Sequence, residues 1–234
     1  SVAAILWVQS REPKRAYGYP LLIILNLVAL FYSGTRGTII GLGAALIISL
    51  GLIAWHEKGR ARNLFLGVLI AMVVLVGSIF VFKDSSFIKS SPTLSRLASI
   101  SPTDLTSSSR INIWKISYQA WLERPILGYG QDNFDHIFAS KFIPDKMWNL
   151  EPWYDRSHNV FFDWLVAAGI LGLASYLSLY LIAMYLMWVR PNKMSIREKS
   201  IITGAIAGYF VHNIFVFDKL TSYIFFLALL AYIV

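Results

Sequence analysis

Residues 38–55, TIIGLGAALIISLGLIAW, form an uninterrupted apolar stretch of the length that crosses a lipid bilayer. The stretch at 63–82, NLFLGVLIAMVVLVGSIFVF, has the same character, and a short basic connection separates the two. An α-helix satisfies its own backbone hydrogen bonds, so apolar stretches of this length are typical of helices that span a membrane. The pair predicts two consecutive membrane-spanning helices.

Further apolar stretches extend this pattern over the chain, at 1–8, 17–34, 161–189, 200–217 and 220–234. Of the 234 residues, 56% are apolar and 15% are charged, whereas a soluble domain has about 25% charged residues. We therefore expect an all-α fold, a polytopic transmembrane helical bundle with about six to seven spans of ~20 residues each. Because both ends lie in apolar stretches, we expect a carboxy-terminal fragment of a longer membrane protein.

The net charge of +8 is concentrated in three short connections between the predicted spans. An excess of Lys and Arg marks the cytoplasmic side of a membrane protein. The charge therefore predicts the topology, and it requires no nucleic-acid partner. The basic residues are Arg11, Lys14, Arg15, Lys58, Arg60, Arg62, Arg190, Lys193, Arg197 and Lys199, against Glu12, Glu57 and Glu198.

The longest connection, at 83–157, then lies on the outer, periplasmic face. It is too long to be a mere connector, so we expect the function there. The chain is thereby divided into helices at 1–82, an outer loop with short helices at 83–157, and helices at 158–234. Residues 83–109 are rich in Ser, Thr and Pro and are expected to build no core. Apolar residues at helical spacing predict a helix over 109–123, capped by a serine and ended by Pro125.

Residues 128–134, GYGQDNF, follow this predicted helix. They lack the third glycine of a dinucleotide-binding motif and the Gly-Lys-Ser/Thr of a phosphate-binding loop, so we interpret them as a tight turn. The chain has no cysteine, which excludes disulfides and thiolate catalysis. Asp132, Asp135 and His136 have only a loose metal-ligand spacing. We expect no metal and no other cofactor.

Three cationic or titratable residues are candidate site residues on the predicted outer face. Arg36 lies between two apolar stretches, where a charge is costly unless it snorkels, pairs or binds an anion. Arg110 is expected to begin the loop helix, where its guanidinium and the backbone N–H groups could hold a phosphate. His158 precedes a long apolar helix and could act as a general base. An interfacial or solvated role is the alternative for each.

Several neighbouring residues have two readings. Asn159 could orient His158 or cap the helix that follows. Trp148, Trp153 and Tyr154 could stack on sugar rings, although we favour anchoring at the membrane interface. For the His212-Asn213 pair, within the span predicted at 200–217, we expect hydrogen bonding inside the bundle.

The turn at 33–37, SGTRG, resembles the periplasmic Ser-x-x-Arg-Gly turn of the O-antigen ligase and O-antigen polymerase superfamily. Residues 110–134, with Arg110, Trp114 and a Gly-x-Gly-x-x-Asn-Phe segment that contains Asn133, are similar to the large outer loop of that family. Residues 158–172 resemble its His-Asn and Gly-x-x-Gly signature.

The resemblance implies a multi-pass glycosyltransferase of the bacterial inner membrane with a periplasmic active face. The donor would be an undecaprenyl-pyrophosphate-linked glycan, and the acceptor a hydroxyl of lipid A-core, of a growing polymer or of a protein. Transfer would be inverting and metal-independent. Arg36 and Arg110 would hold the pyrophosphate and His158 would activate the acceptor hydroxyl. Trp114, Asn133 and Asn159 would contact the substrates.

Two other classes of membrane protein remain open from the sequence. A transporter or channel for an anionic solute would use Arg36 as a charge on the substrate path. Transporters usually contain internal repeats and broken helices, and we expect neither in this chain. A non-catalytic membrane scaffold would leave the spacing of Arg36, Arg110 and His158 unexplained.

Overall fold

The computed structural model describes residues 18–99, 105–142 and 153–234. These residues form helices and their connections, with no strand among them, which confirms the all-α class. The helices are α1 Gly18–Tyr32, α2 Arg36–His56, α3 Gly59–Val81, α4 Ser86–Ser90, α5 Pro92–Ala98, α6 Leu105–Glu123, α7 Phe134–Lys141, α8 Val160–Trp188, α9 Ile196–Asn213 and α10 Leu220–Ile233.

In the described part of the chain, α2, α3 and α8 are long and apolar enough to cross a membrane. The shorter helices α1 and α10 are also apolar. α9 covers most of the span predicted at 200–217. Its first turn contains the charged run Arg197–Lys199, and α9 is not among these apolar helices. The count of six to seven spans stays a prediction. The partial span at 1–8 and the basic residues between it and α1 lie outside the described residues.

The chain divides into two compact units that are not consecutive in sequence. Unit 1 comprises Ser1–Ile100 and Leu186–His212, and unit 2 comprises Ser101–Tyr185 and Asn213–Val234. The predicted boundaries at 82 and 157 refer to membrane crossing and not to packing, so they stay a prediction.

Within unit 1, α2 and α9 approach closely along faces of small residues. A Cβ placed on Gly208 would lie 2.6 Å from the carbonyl oxygen of Gly41, and one on Gly204 would lie 2.4 Å from that of Ala45. Small residues four positions apart lie on one face of a helix and allow two backbones to come together. Gly204 and Gly208 on α9 and Gly41 and Ala45 on α2 have this spacing.

The Ser- and Pro-rich segment after α3 is more ordered than its composition predicts. The Ser85 hydroxyl accepts a hydrogen bond from the Ile88 amide at 3.3 Å and starts α4, and Ser91 caps α5 ahead of Pro92. Buried Thr93 donates to the Phe31 carbonyl at 3.1 Å. The Ser and Pro residues of this segment act as helix start signals, and the segment forms two short helices that its composition did not predict.

The core of unit 2 joins α6, α7 and the first part of α8. The described part of α6 runs from Leu105, so the chain is already helical before Ser109, and the serines at 107–109 are accommodated inside the helix. Arg110 therefore lies in the second turn, and the expectation that it begins the helix is wrong. The buried side chains of this core are Ile113, Ile116, Ala120, Phe134, Ile137, Phe138, Tyr154 and Val166.

α8 is broken at Gly169, whose φ of 63° and ψ of −161° lie outside the helical region. The sequence predicted one uninterrupted helix there and no broken helix in the chain, and that expectation is wrong. Only glycine adopts such a conformation readily. A Cβ at this position would also lie 2.2 Å from the Ile126 carbonyl oxygen.

Two glycines of α2 test the close packing of unit 1. A Cβ on Gly41 would lie 2.7 Å from the Gly208 carbonyl oxygen and 3.0 Å from the His212 Cβ, whereas one on Gly43 would meet no atom within 4 Å. We expect Gly41→Ala to destabilise the protein by about 1–3 kcal/mol through overpacking. Gly43→Ala is the matched control and should not lower the melting temperature in detergent. Equal melting temperatures for the two variants would contradict the packing described here.

Candidate functional site

Arg36 begins α2, directly after a sharp turn in unit 1. Gly34 in this turn has a left-handed backbone with φ of 61°. The Arg36 side chain is half-buried, and its Nη2 donates to the Ser99 hydroxyl at 3.4 Å. This bond links the start of α2 to the residue that follows α5.

A second arginine, which sequence reasoning did not single out, lies at the same turn. Nη1 of Arg96 lies 3.5 Å from the position that a Cβ on Gly34 would take. No carboxylate of the described residues lies within ion-pair distance of Arg96. The Ser91-Pro92 helix start is the sequence signal that could have placed Arg96 on a short helix. Two guanidiniums at one turn can bind a multivalent anion.

Arg110 and Trp114 lie one turn apart on α6 in unit 2. The indole of Trp114 stacks on Phe162 of α8 with ring centroids 6.1 Å apart. Its Nε1 is buried and has no acceptor among the described residues. A buried donor without an acceptor costs about 1–3 kcal/mol, so the Trp114 indole N–H is a candidate donor to a bound molecule.

His158 is held between two aromatic rings in unit 2. The Tyr154 ring lies 5.6 Å away, edge to face, and the Phe217 ring lies 5.3 Å away. The backbone of His158 is left-handed, with φ of 52°, which is uncommon for a residue with a side chain. Tyr154 is buried, so the interpretation of this residue as an interface anchor is wrong. Trp153 is exposed, and Trp148 lies outside the described residues.

The backbone on both sides of His158 is fixed by side-chain hydrogen bonds. Oδ1 of Asn159 accepts from the Phe161 amide at 2.9 Å and from the Phe162 amide at 3.3 Å, which confirms Asn159 as the cap of α8. Oδ1 of Asp163 accepts from the Ser157 amide at 2.8 Å and from the Ser157 hydroxyl. These bonds fix the backbone on either side of His158, from which the imidazole projects.

Phe217 is a second residue that sequence reasoning missed, and no local signal marks it. The Arg156 guanidinium and the Lys219 ammonium both lie 5.9 Å from its ring centroid, so two cations lie near the His158 side of unit 2. The next residue, Asp218, accepts a 3.1 Å hydrogen bond from Asn213, whose amide also donates to Tyr176 at 3.1 Å. The bundle hydrogen bond predicted for Asn213 is confirmed.

Residues 125–130 dock onto the break in α8. The amides of Tyr129 and Gly130 donate to the carbonyls of Val166 and Ala167 at 2.7 and 2.9 Å, and the Ile170 amide donates to the Pro125 carbonyl at 2.8 Å. These bonds satisfy backbone groups that the break releases from the helix. The glycine-rich turn therefore also completes α8.

Asn133 lies just before α7, and its side-chain amide donates to the Tyr129 carbonyl at 2.9 Å. The neighbouring Asp132 pairs with Arg156 at 2.5 Å. Among the described residues no three His, Asp or Glu side chains form a group that could hold a metal ion. The expectation that the protein uses no metal stays a prediction.

The six predicted site residues are divided between the units. Arg36 belongs to unit 1, and Arg110, Trp114, Asn133, His158 and Asn159 belong to unit 2. Arg110 lies four residues before Trp114, and His158 lies four residues before Phe162. The Trp114–Phe162 stack therefore brings the segments that carry Arg110 and His158 together.

The family model described as O-antigen ligase matches residues 21–177, which is more than half of the chain. The match includes all six predicted site residues, the turn at Gly34 and the break at Gly169. A comparison with curated proteins gave no match to this chain.

Two left-handed glycines test the docking of residues 125–130. Gly128 and Gly130 have φ of 69° and 92°, so an alanine is strained at either position. A Cβ on Gly128 would in addition lie 2.4 Å from the Val166 carbonyl oxygen, whereas one on Gly130 meets only the Asn133 side chain, at 3.1 Å. We expect Gly128→Ala to lower the melting temperature more than Gly130→Ala. The reverse order would contradict the docking.

Proposed function

Because the chain belongs to the O-antigen ligase family, we propose that it transfers a glycan from an undecaprenyl-pyrophosphate donor to an acceptor hydroxyl on a lipid or a glycan. The reaction would take place at the periplasmic face of the bacterial inner membrane. The apolar helices α2, α3 and α8 support a membrane location, and the charge of the short connections supports this orientation.

The observation that carries the proposal is the fixed imidazole of His158. A general base must be held within reach of the proton that it removes. Tyr154 and Phe217 hold the ring, and Ser157 and Asn159 hold the backbone. Such a base suits the deprotonation of a sugar hydroxyl.

In the proposed reaction His158 takes the proton of the acceptor hydroxyl while its oxygen attacks the anomeric carbon. The bond from that carbon to the pyrophosphate oxygen breaks on the opposite face, and the leaving oxygen keeps the electron pair. The products are an inverted glycoside, undecaprenyl pyrophosphate and protonated His158. Arg36 and Arg110 would bind the pyrophosphate, so that its charge is neutralised without a divalent ion. Trp114, Asn133 and Asn159 would line the substrates.

A transporter of anionic solutes is the second candidate, because the break in α8 is a feature that such proteins use. In transporters the broken backbone lines a cavity or coordinates an ion. Here the carbonyls of Val166 and Ala167 and the amide of Ile170 are bonded to residues 125–130 instead. The break in α8 therefore has a structural role in the described residues, and it gives little support to the transporter alternative.

Arg36→Ala, Arg110→Ala and His158→Asn each test the mechanism in the full-length protein. Asn tolerates a left-handed backbone, so this substitution removes the imidazole with little strain. We expect each variant to express normally and to lose surface-glycan transfer, with a rate loss of about 10²–10⁴ for His158→Asn. Lys89→Ala is the control, because it removes an exposed cation that is not a predicted site residue and that pairs with Asp84 at 3.2 Å. Full activity in any two of the three variants would refute the mechanism.

A chelator tests the metal-independent part of the proposal. We expect transfer by the purified protein to continue undiminished in excess chelator, since arginines would carry the charge of the leaving group. Initial rates with a lipid-linked donor and a soluble acceptor provide the measurement. Inhibition that a divalent ion reverses would show that the arginines alone do not suffice.

A further inference from the structure

A shallow groove of about 330 Å³ lies between the carboxyl end of α6 and one face of α7, within unit 2. Its volume is at the lower end of the range for small-molecule sites. The α7 residues recur at spacings of three and four, so one helical face forms one wall. The groove is lined by Arg124, Tyr129, Asn133, His136, Ile137, Ser140 and Lys141.

The polar wall of this groove is fixed by one carboxylate. Glu123 accepts hydrogen bonds from the Lys141 ammonium and the Tyr129 hydroxyl. The bond from Lys141, followed by the bond from Tyr129, holds the pKa of Glu123 below its usual value. This stabilisation is present above the ordinary glutamate pKa and is lost as the pH falls through the lowered one. At neutral pH the carboxylate is therefore ionised and keeps both partners in place.

Arg124 supplies a second cation beside the ion pair of Lys141 and Glu123. Its guanidinium lies above the Tyr129 ring, 4.5 Å from the centroid. No carboxylate of the described residues lies within ion-pair distance of it. Stacking uses the face of a guanidinium and leaves the N–H groups at its edge available for hydrogen bonds. The residues that line the groove include two cations, Arg124 and Lys141, and no carboxylate; Glu123 beside them balances one charge, so the lining has one surplus positive charge.

The remaining polar side chains suit a hydroxylated ligand. Ser140, His136 and Asn133 offer both donors and acceptors along the same wall. An inorganic anion would use Arg124 but would leave these groups without a role, and a neutral sugar would leave the surplus charge without a partner. A sugar that carries a carboxylate or a phosphate uses both features.

We propose that the groove between α6 and α7 binds an acidic saccharide unit of a glycan substrate, with Arg124 holding its anionic group. The inference rests on the proposed function for the presence of a glycan, and it adds a binding site and a ligand class. Such a site selects glycans by charge, separately from the pyrophosphate chemistry assigned to Arg36 and Arg110.

Saccharide binding to the purified full-length protein tests this site without any turnover. The probes are glucuronic acid and glucose 6-phosphate, with glucose and inorganic phosphate as comparators, each titrated by saturation-transfer NMR. We expect at least one acidic sugar to bind about tenfold or more tightly than glucose, because its anionic group can form a charge-assisted hydrogen bond with Arg124. The two acidic probes show whether a carboxylate or a phosphate is preferred.

Arg124→Gln should weaken binding of the acidic sugar by about tenfold or more and leave the weak binding of glucose unchanged. Arg124→Lys retains the charge and should recover part of the affinity. Lys115→Ala, which removes an exposed cation of α6 outside the groove, is the matched control. Unchanged affinity in Arg124→Gln, or inorganic phosphate that binds as tightly as glucose 6-phosphate, would overturn the proposal.

Binding measured in the His158→Asn variant separates this inference from the proposed function. If the groove is correct, this variant binds the acidic sugar as the parent protein does, whether or not transfer is lost. Transfer that survives in the Arg36, Arg110 and His158 variants refutes the mechanism and leaves the binding result intact. Absence of binding in the parent protein overturns the groove and leaves the mechanism intact.

Discussion

The backbone at Gly169 imposes the main constraint on unit 2. α8 is a helix of membrane-spanning length and composition, and a break in such a helix releases carbonyl and amide groups that are costly to leave unpaired in an apolar setting. Residues 125–130 supply the partners, and this requires glycine at 128 as well as at 169. The end of α6, the docked turn and the start of α8 therefore have fixed relative positions. Trp114, Tyr129 and Asn133 depend on these positions.

His158 depends on the same region in a different way. His158 itself has a left-handed backbone. Its neighbour Ser157 is bonded to Asp163, and its neighbour Asn159 caps α8. The aromatic contacts come from Tyr154 before it and Phe217 far along the chain. Position and charge are thus supplied by separate groups. The rings contact the imidazole and the cap fixes the backbone beside it, whereas in the proposed reaction the arginines would provide the positive charge that the leaving group needs.

Much of the helical framework was predictable because it follows from local chemistry. The apolar stretches at 38–55 and 63–82 match α2 and α3 to within a few residues, and Pro125 marks the end of α6. The break at Gly169 was not predictable, because a glycine inside an apolar helix looks the same in sequence whether it is helical or left-handed. The start of α6 was misplaced because Ser107–Ser109 continue a helix as well as they begin one.

For the site as well, local sequence identifies some residues, whereas others are identified only by contacts with residues distant in the chain. Arg36 and His158 stand out in the sequence because each carries a charge or a titratable ring beside an apolar stretch, and Arg110 stands out by its position at the predicted start of the loop helix. Arg96 and Phe217 become relevant only through contacts with Gly34 and His158, which lie far from them in sequence. The groove beside α7 likewise depends on Glu123 meeting Lys141 across a turn.

The close contact of α2 and α9 has a consequence for how unit 1 responds to temperature. Gly41, Ala45, Gly204 and Gly208 present little apolar side-chain area, so their contact removes little apolar surface from its surroundings. The large heat-capacity change that accompanies dehydration of apolar surface in soluble domains is then small at this interface. The contribution of the α2–α9 contact to stability depends on van der Waals packing, which does not weaken on cooling as hydrophobic stabilisation does. Unit 1 should therefore keep this packing at low temperature.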